Sequence, residues 1–255
     1  MRLTKGIRKL LERDPCQLLF NQLELVQEEA TFKHVRQAMR KTRPRVDTGW
    51  VHATDSTLEC DRLIAAALLG IRPPRSPIPS KTQRIFDTGT HMHLRYQSYF
   101  LCLPPPFEIE VAKVLRYWPL IGEADVTVQH PEIGKWIVEL KTMNNMQWRS
   151  LSAPLPQHKH QLNCYLSMKG GDWGGQFWYE NKNTQEVKLF PMEFDRIMWR
   201  ETWLRVSDVA NRLIQGSLPD VCPTCPDVEF CEDEIKVTPA RIRRLLSERR
   251  QSYPE

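Results

Sequence analysis

Two acidic side chains and a lysine sit in the middle of the 255-residue chain: Asp125 in GEAD, and Glu139 and Lys141 in VELKT. Asp125 belongs to IGEADVTVQ, whose Val- and Ile-rich run predicts a strand; KWIVELK predicts the next, with HPEIG as the turn between them. Glu139 and Lys141, two residues apart, leave the same face of that strand. If the strands pair across the turn, Asp125 comes close to Glu139. Two carboxylates so placed make an oxygen site for a hard divalent cation such as Mg²⁺ or Mn²⁺. A cation there would polarise a phosphate and lower the pKa of a bound water. Lys141 would orient that water or stabilise the charge of a pentacovalent phosphorus. Glu-x-Lys alone is equally the signature of an exposed ion pair on a strand edge.

Neighbouring positions offer further groups. Gln161 and Tyr165 are spaced i, i+4 and share one face of a helix predicted just after the strands, although ordinary surface residues show the same spacing. His93, in Gly89-Thr90-His91-Met92-His93, precedes the strands, and imidazole is an acceptable Mn²⁺ ligand beside carboxylates. His91 competes for that role.

A second constellation is sulfur. Cys222, Cys225 and Cys231 form C-x2-C-x5-C, and Cys60 stands far upstream. Thiolates at such short spacing converge on a metal or an iron–sulfur cluster. Four-thiolate zinc sites usually come as two C-x2-C knuckles; the one-plus-three arrangement fits an iron–sulfur cluster better, with zinc as the rival occupant. Cys16, Cys102 and Cys164 read as small hydrophobes.

The elements that must position these groups follow from pattern. Residues 1 to about 42 read as helical, interrupted by TRPRVDTGW. Ser56 or Thr57 is a candidate cap for a helix running to Leu68 and ended by Gly70. The proline-rich IRPPRSPIPSK reads as a loop, and a helix is expected from about Gln83 to Leu101. FEIEVAKVLRYW opens the strand meander. PLPQHKHQLNCYLSM reads as a helix with Pro156 in its first turn, GGQFWYEN and QEVKLFP as a hairpin across NKNT, and MEFDRIMWRETWLRVSDVANRLIQG as a long amphipathic helix closed by Gly216. This order predicts an α/β (α+β) fold, a mixed central sheet flanked by helices.

Apolar residues make up 41% and charged residues 26%, ordinary for a globular chain, and the net charge of +5 is compatible with a polyanionic partner. Two segments concentrate that charge: HVRQAMRKTRPR (34–45) and RIRRLLSERR (241–250). Each suits a phosphate backbone or a solvated helix face. No apolar run approaches a membrane span, and the N-terminus lacks the apolar region of a signal peptide, so an intracellular protein is expected, in which seven cysteines are not a disulfide framework. The absence of G-x4-GK[ST] predicts no built-in motor.

Taken in order, these residues resemble the PD-(D/E)XK nuclease superfamily, in its RecB-like, AddB-like branch with a four-cysteine iron–sulfur cluster, a branch that includes CRISPR-associated and phage exonucleases. The matching residues are Cys60-Asp61-Arg62, Gly89 to His93, Gly122-Glu123-Ala124-Asp125, Glu139-Leu140-Lys141-Thr142, Gln161 to Tyr165, and Cys222-Pro223-Thr224-Cys225 with Cys231. The proline usual before the aspartate is replaced by Ala124. The resemblance implies a restriction-endonuclease-like core over 56–233, with a helical extension (1–55) before it and a basic tail (234–255) after it. It implies His93, Asp125, Glu139 and the Leu140 carbonyl as ligands of Mg²⁺ or Mn²⁺. Lys141 would be the catalytic lysine, with Gln161 and Tyr165 positioning the DNA strand or supporting it, and Glu110 would assist as an outer acid. Cys60, Cys222, Cys225 and Cys231 would hold a structural [4Fe–4S] cluster. The implied activity is exonucleolytic hydrolysis of single-stranded DNA or DNA ends in recombination, repair, or phage or CRISPR DNA processing. It would take place in the cytoplasm of a bacterial or phage-infected cell, with a helicase, recombinase or single-strand-binding protein as partner. The alternatives are a non-catalytic nucleic-acid-binding adaptor of the same fold and a zinc-stabilised RNA-processing protein.

Overall fold

The computed structural model describes residues 15–26, 49–71, 77–222, 225, 229–231 and 235–252. The basic segment 34–45, most of the helical reading of 1–42 and the centre of the proline-rich loop lie outside the described residues. Helix α1 spans Pro15–Val26. Strand β1 (Val51–His52) is followed by a 3₁₀ turn (Asp55–Thr57), α2 (Asp61–Leu68) and α3 (Ser80–Phe100). Then come β2 (Glu108–Tyr117), β3 (Leu120–His130), β4 (Gly134–Met143), α4 (Asn145–Ser150), α5 (Pro156–Met168), β5 (Gly174–Asn181), β6 (Val187–Met192), α6 (Arg196–Ile214) and α7 (Pro239–Ser252).

The architecture is the expected α/β one, a mixed sheet flanked by helices. β2, β3 and β4 form an antiparallel meander, β4 and β5 are parallel, and β6 closes the predicted hairpin. The short β1 left no signature in the sequence; it pairs in parallel with Leu120 and Ile121 of β3. β4 pairs with β3 only from Val126 to His130. Between these two pairings, residues 122–124 have a strand partner on the β2 side alone, and the β2 register skips Asp125. This split in the sheet is where the chemistry collects.

β2 and β3 also switch faces there. Val111 and Val126 enter one core, whereas Leu115 and Ala124 enter another, although strict alternation would keep each pair on one face. The switch falls at Ala112, whose φ of +49° is the left-handed region that alanine disfavours. Regular pleating is interrupted beside Asp125.

Helices cover both faces. Met92, Tyr96 and Phe100, at i, i+4 and i+8, dock the second half of α3, and the buried Trp178 of β5 meets Phe100 at 5.1 Å and Tyr96 at 5.9 Å between ring centroids. Aromatic contacts of this kind are worth about 0.5–1.5 kcal/mol each beyond burial. α5, with Pro156 in its first turn, is buried without a break from Gln161 to Leu166 against the other face. A third core joins β1, α2, α6 and α7.

Some boundaries differ from the sequence reading. α2 is capped by Cys60 rather than by Ser56 or Thr57; Ser56 is buried and its hydroxyl donates to the Ala53 carbonyl (2.7 Å), closing a local turn instead. α6 starts at Arg196, because Met192 still belongs to β6 and the Asp195 carboxylate accepts the amides of Ile197 (2.9 Å) and Met198 (3.0 Å). The basic segment 241–250 lies on α7, which is docked. Leu245 is buried, Glu248 accepts a hydrogen bond from Trp50 Nε1 (2.9 Å), and Arg249 lies over the Trp118 ring at 5.2 Å.

Candidate active site and thiol cluster

The three residues that opened the sequence reading meet at the split between β3 and β4. Beyond the last paired residues, Val126 and Val138, the Asp125 side chain takes over from the ladder: its Oδ2 accepts the Leu140 amide N–H at 2.9 Å. Its Oδ1 lies 2.9 Å from His93 Nδ1 on α3. Lys141 Nζ donates to Glu139 Oε1 (2.7 Å) and to Gln161 Oε1 (3.1 Å) on α5, and Gln161 Nε2 donates to the Tyr165 hydroxyl (2.8 Å). One chain of contacts thus runs from the sheet into α5. Gln161 and Tyr165 are both buried, so they are not helix-surface residues. His91 is exposed, whereas His93 is turned to Asp125.

Glu139 decides what the cluster can do. The residue is 2% exposed, and while Oε1 is held by Lys141, Oε2 is buried with no hydrogen-bond partner. A buried carboxylate oxygen without a donor costs of order 1–3 kcal/mol or more, which a cation would relieve. Burial, and then the neighbouring Asp125 charge, push the Glu139 carboxyl up to about 7 despite the pull of Lys141. Asp125 goes the other way. Burial raises it, but His93, Lys141 and the Leu140 amide together outweigh that and hold it below the usual range. Burial depresses His93 and Lys141, and the Asp125 and Glu139 charges overcome it, so both stay above their ordinary values. The donor set of one imidazole and two carboxylates, one of them with an orphaned oxygen, fits a divalent cation.

Glu110 does not join the cluster. It is paired with Lys113 (2.6 Å) and lies 3.6 Å from Lys169, on a partly exposed edge. Two other residues do join, unforeseen from the sequence. Gln97, one turn after His93 on α3, donates to the Asp125 carbonyl at 3.1 Å. Gly122 makes room for Tyr165: a Cβ at position 122 would lie 2.1 Å from Tyr165 Cε1. The i+4 spacing from His93 was the available signal for the first, and the glycine of GEAD for the second.

The sulfurs of Cys60, Cys225 and Cys231 all lie within 4.8 Å of one another. Cys60 and Cys231 are 3.9 Å apart, and Cys225 and Cys231 3.5 Å. Cys222 is not in this group, although its carbonyl accepts the Cys225 amide N–H (3.1 Å). None of the seven cysteines is disulfide-bonded. Burial raises the Cys60 thiol. The amides of Leu63 and Arg62 at the start of α2, with the thiols of Cys225 and Cys231, outweigh it and favour the thiolate. Burial and its sulfur neighbours drive Cys231 upward. Arg62 locks the segment in place by donating to the carbonyls of Cys231 (2.6 Å) and Pro219 (2.7 Å). Cys16 and Cys164 are both buried, Cys164 among apolar residues as expected, and burial takes the Cys164 thiol up to about 12.

No protein-family model and no curated protein matches the sequence. Thirteen chains among solved structures match. One is the crystal structure of SSO0001, with 17% identity, a TM-score of 0.42, and 85% of this chain and 97% of that one covered. Another is an alkaline exonuclease (LHK-Exo) from Laribacter hongkongensis, with 16% identity, a TM-score of 0.45, and 63% of this chain and 85% of that one covered. Among the described residues, no helix is long and apolar enough to cross a membrane.

Proposed function

We propose that the protein is a Mg²⁺- or Mn²⁺-dependent DNA nuclease that hydrolyses phosphodiesters at the split between β3 and β4. The observation that carries this reading is the buried, unpartnered Glu139 Oε2 beside Asp125, His93 and a protonated Lys141. A divalent cation bound by His93, Asp125, Glu139 and the Leu140 carbonyl would supply Lewis acidity toward the phosphodiester and the attacking water. The chain's own groups do the rest. Lys141 holds an ammonium where charge builds on the phosphoryl oxygens. Gln161, fixed by the Tyr165 hydroxyl, sets the direction of that ammonium. His93 and the Leu140 amide fix both oxygens of Asp125. Hydrolysis of this kind leaves a 5′-phosphate.

By resemblance, the reading extends to exonucleolytic action on single-stranded DNA or duplex ends, inside a bacterial or phage-infected cell. A helicase, recombinase or single-strand-binding protein would open long substrates. Gln161 and Tyr165 support Lys141 in this reading. The nuclease core is assigned to 56–233, flanked by the extension 1–55 and the tail 234–255.

The thiol group is proposed as a structural thiophilic centre that ties the C-terminal segment to α2. The resemblance and the one-plus-three spacing support a [4Fe–4S] cluster on Cys60, Cys222, Cys225 and Cys231. A separate observation supports zinc. A tetrahedral ion with zinc–sulfur bonds of about 2.3 Å holds its thiolates ~3.8 Å apart, close to the 3.5 and 3.9 Å seen here. A cluster that gives each thiolate its own iron spreads them wider. Metal analysis and the visible spectrum of anaerobically purified protein decide between them.

The functional test separates cleavage from binding. Wild type is expected to digest end-labelled DNA, and Glu139→Ala to bind the same DNA without cutting it. Wild type that binds but never cuts with Mg²⁺ or Mn²⁺ supports the adaptor instead. Cleavage of RNA in preference to DNA supports an RNA-processing enzyme.

A further inference from the structure

His158 lies on α5 three residues before Gln161 and seven before Tyr165, so the three share one helix face. Its Nδ1 is 2.8 Å from the hydroxyl of Tyr179, the β5 residue registered opposite Lys141. The two rings lie 5.6 Å apart with planes inclined by 30°. The same hydroxyl accepts the Leu155 amide N–H at 3.2 Å. With one lone pair so used, the hydroxyl's own proton has a single acceptor among the described residues, His158 Nδ1. Nδ1 accepting that proton places the imidazole's own proton on Nε2, the tautomer that satisfies both groups. Burial, and then the nearby Lys141 ammonium, push His158 down to about 4, so the ring is neutral. Among the described residues Nε2 has no hydrogen-bond partner, and the residue is only half-buried. The result is a neutral N–H donor, held by Tyr179, beside the catalytic lysine.

We infer that His158 is a substrate-binding residue whose Nε2–H donates to a non-bridging phosphate oxygen of the DNA strand next to the Lys141 centre. The inference rests on the nuclease reading for the identity of its ligand. A neutral donor suits this position: it adds a hydrogen bond to an anionic oxygen without adding to the charge around Lys141. Tyr179 is a positioning residue in this scheme, acting through the tautomer it imposes.

The test uses the full chain and a fluorescein-labelled single-stranded oligonucleotide. His158→Leu is expected to raise KM about tenfold, the worth of one charge-assisted hydrogen bond, with kcat within about twofold of wild type. His158→Gln, which returns an N–H near the Nε2 position, is expected to recover most of the loss. An unchanged KM in His158→Leu, or a His158→Gln variant as weak as His158→Leu, would overturn the assignment. Binding of the same oligonucleotide with Ca²⁺ in place of Mg²⁺, read by anisotropy, separates the two claims. If wild type does not cleave, the nuclease reading falls, and equal Kd values for wild type and His158→Leu then remove the phosphate contact as well. A Kd about tenfold weaker in His158→Leu sustains the contact. Nitrogen-15 NMR of wild type near neutral pH reads the tautomer without any variant. Nε2–H is expected, and an Nδ1–H ring contradicts the geometry.

Discussion

Glu139 gives one carboxylate oxygen to Lys141 Nζ at 2.7 Å and keeps the other buried and unpartnered. The pair is asymmetric: the lysine is satisfied by two acceptors, while the acid is left half open. A purely structural ion pair would close both oxygens, because an orphaned carboxylate oxygen is costly.

The first prediction concerns pH. With its folded pKa raised to about 7, Glu139 binds a proton in the folded protein that it has lost in the unfolded chain at pH values between the ordinary carboxyl value of 4.5 and 7. Stability of the metal-free protein therefore falls as pH rises through this window. Glu139→Gln, which keeps the acceptor for Lys141, is expected to flatten that slope. Thermal denaturation in a chelating buffer from pH 4 to 8 checks it. Adding Mg²⁺ or Mn²⁺ should restore stability to wild type near pH 7 and do nothing for the variant.

Tyr165→Phe leaves the Gln161 amide without its acceptor inside the protein. A loss of about 1–3 kcal/mol is expected. Cleavage should fall with it, because Gln161 orients Lys141. A double-mutant cycle with Gln161→Ala should show coupling, the two losses together being smaller than their sum. Strict additivity in denaturant titrations would detach Tyr165 from the lysine.

Gly122→Ala drives a methyl into the Tyr165 ring, since the new Cβ would stand 2.1 Å from Cε1. Overpacking of a buried ring costs about 1–3 kcal/mol. Shortening the aromatic in Gly122→Ala/Tyr165→Leu should return part of the stability but not the cleavage. Calorimetry and a nuclease assay on the two variants distinguish steric cause from catalytic effect.

Arg62 is the mechanical link between α2 and the cysteine segment, through the carbonyls of Cys231 and Pro219. Arg62→Met keeps the stem and removes both bonds. If the thiols hold the proposed metal, its faster loss during dialysis against a chelator is expected, with a Tm lowered by several degrees, as befits a loss of about 1–2 kcal/mol in a chain of this size. Wild-type metal retention would show that the thiols need no clamp.

Much of this arrangement was legible in the sequence for physical reasons. β-Branched runs with period two located β3 and β4, and two-residue spacing alone put Glu139 and Lys141 on one face. The helix carrying Gln161 and Tyr165 announced itself through Pro156. What stayed hidden is non-local. The two-residue β1 is too short to carry a pattern, and the change of faces at Ala112 and Asp125 breaks the alternation a strand reading assumes. Gln97 and the Tyr179–His158 contact depend on which helix faces which strand. Glu110 misled because its strand passes near the site while its side chain pairs with lysines. For Cys222 the spacing suggested a fourth equal ligand, and the other three sulfurs converge without it.

The central claim is that phosphodiester hydrolysis depends on Lys141 held between Glu139 and Gln161. The direct measurement is digestion of 5′- and 3′-labelled DNA by wild type and Lys141→Gln, with Mg²⁺ or Mn²⁺, resolving the product ends. The account predicts 5′-phosphate products from wild type, loss of at least ~100-fold in rate in the variant, as for removal of one electrostatic stabiliser, and unchanged DNA binding. Cleavage by Lys141→Gln at the wild-type rate, or an inert wild type, would contradict it.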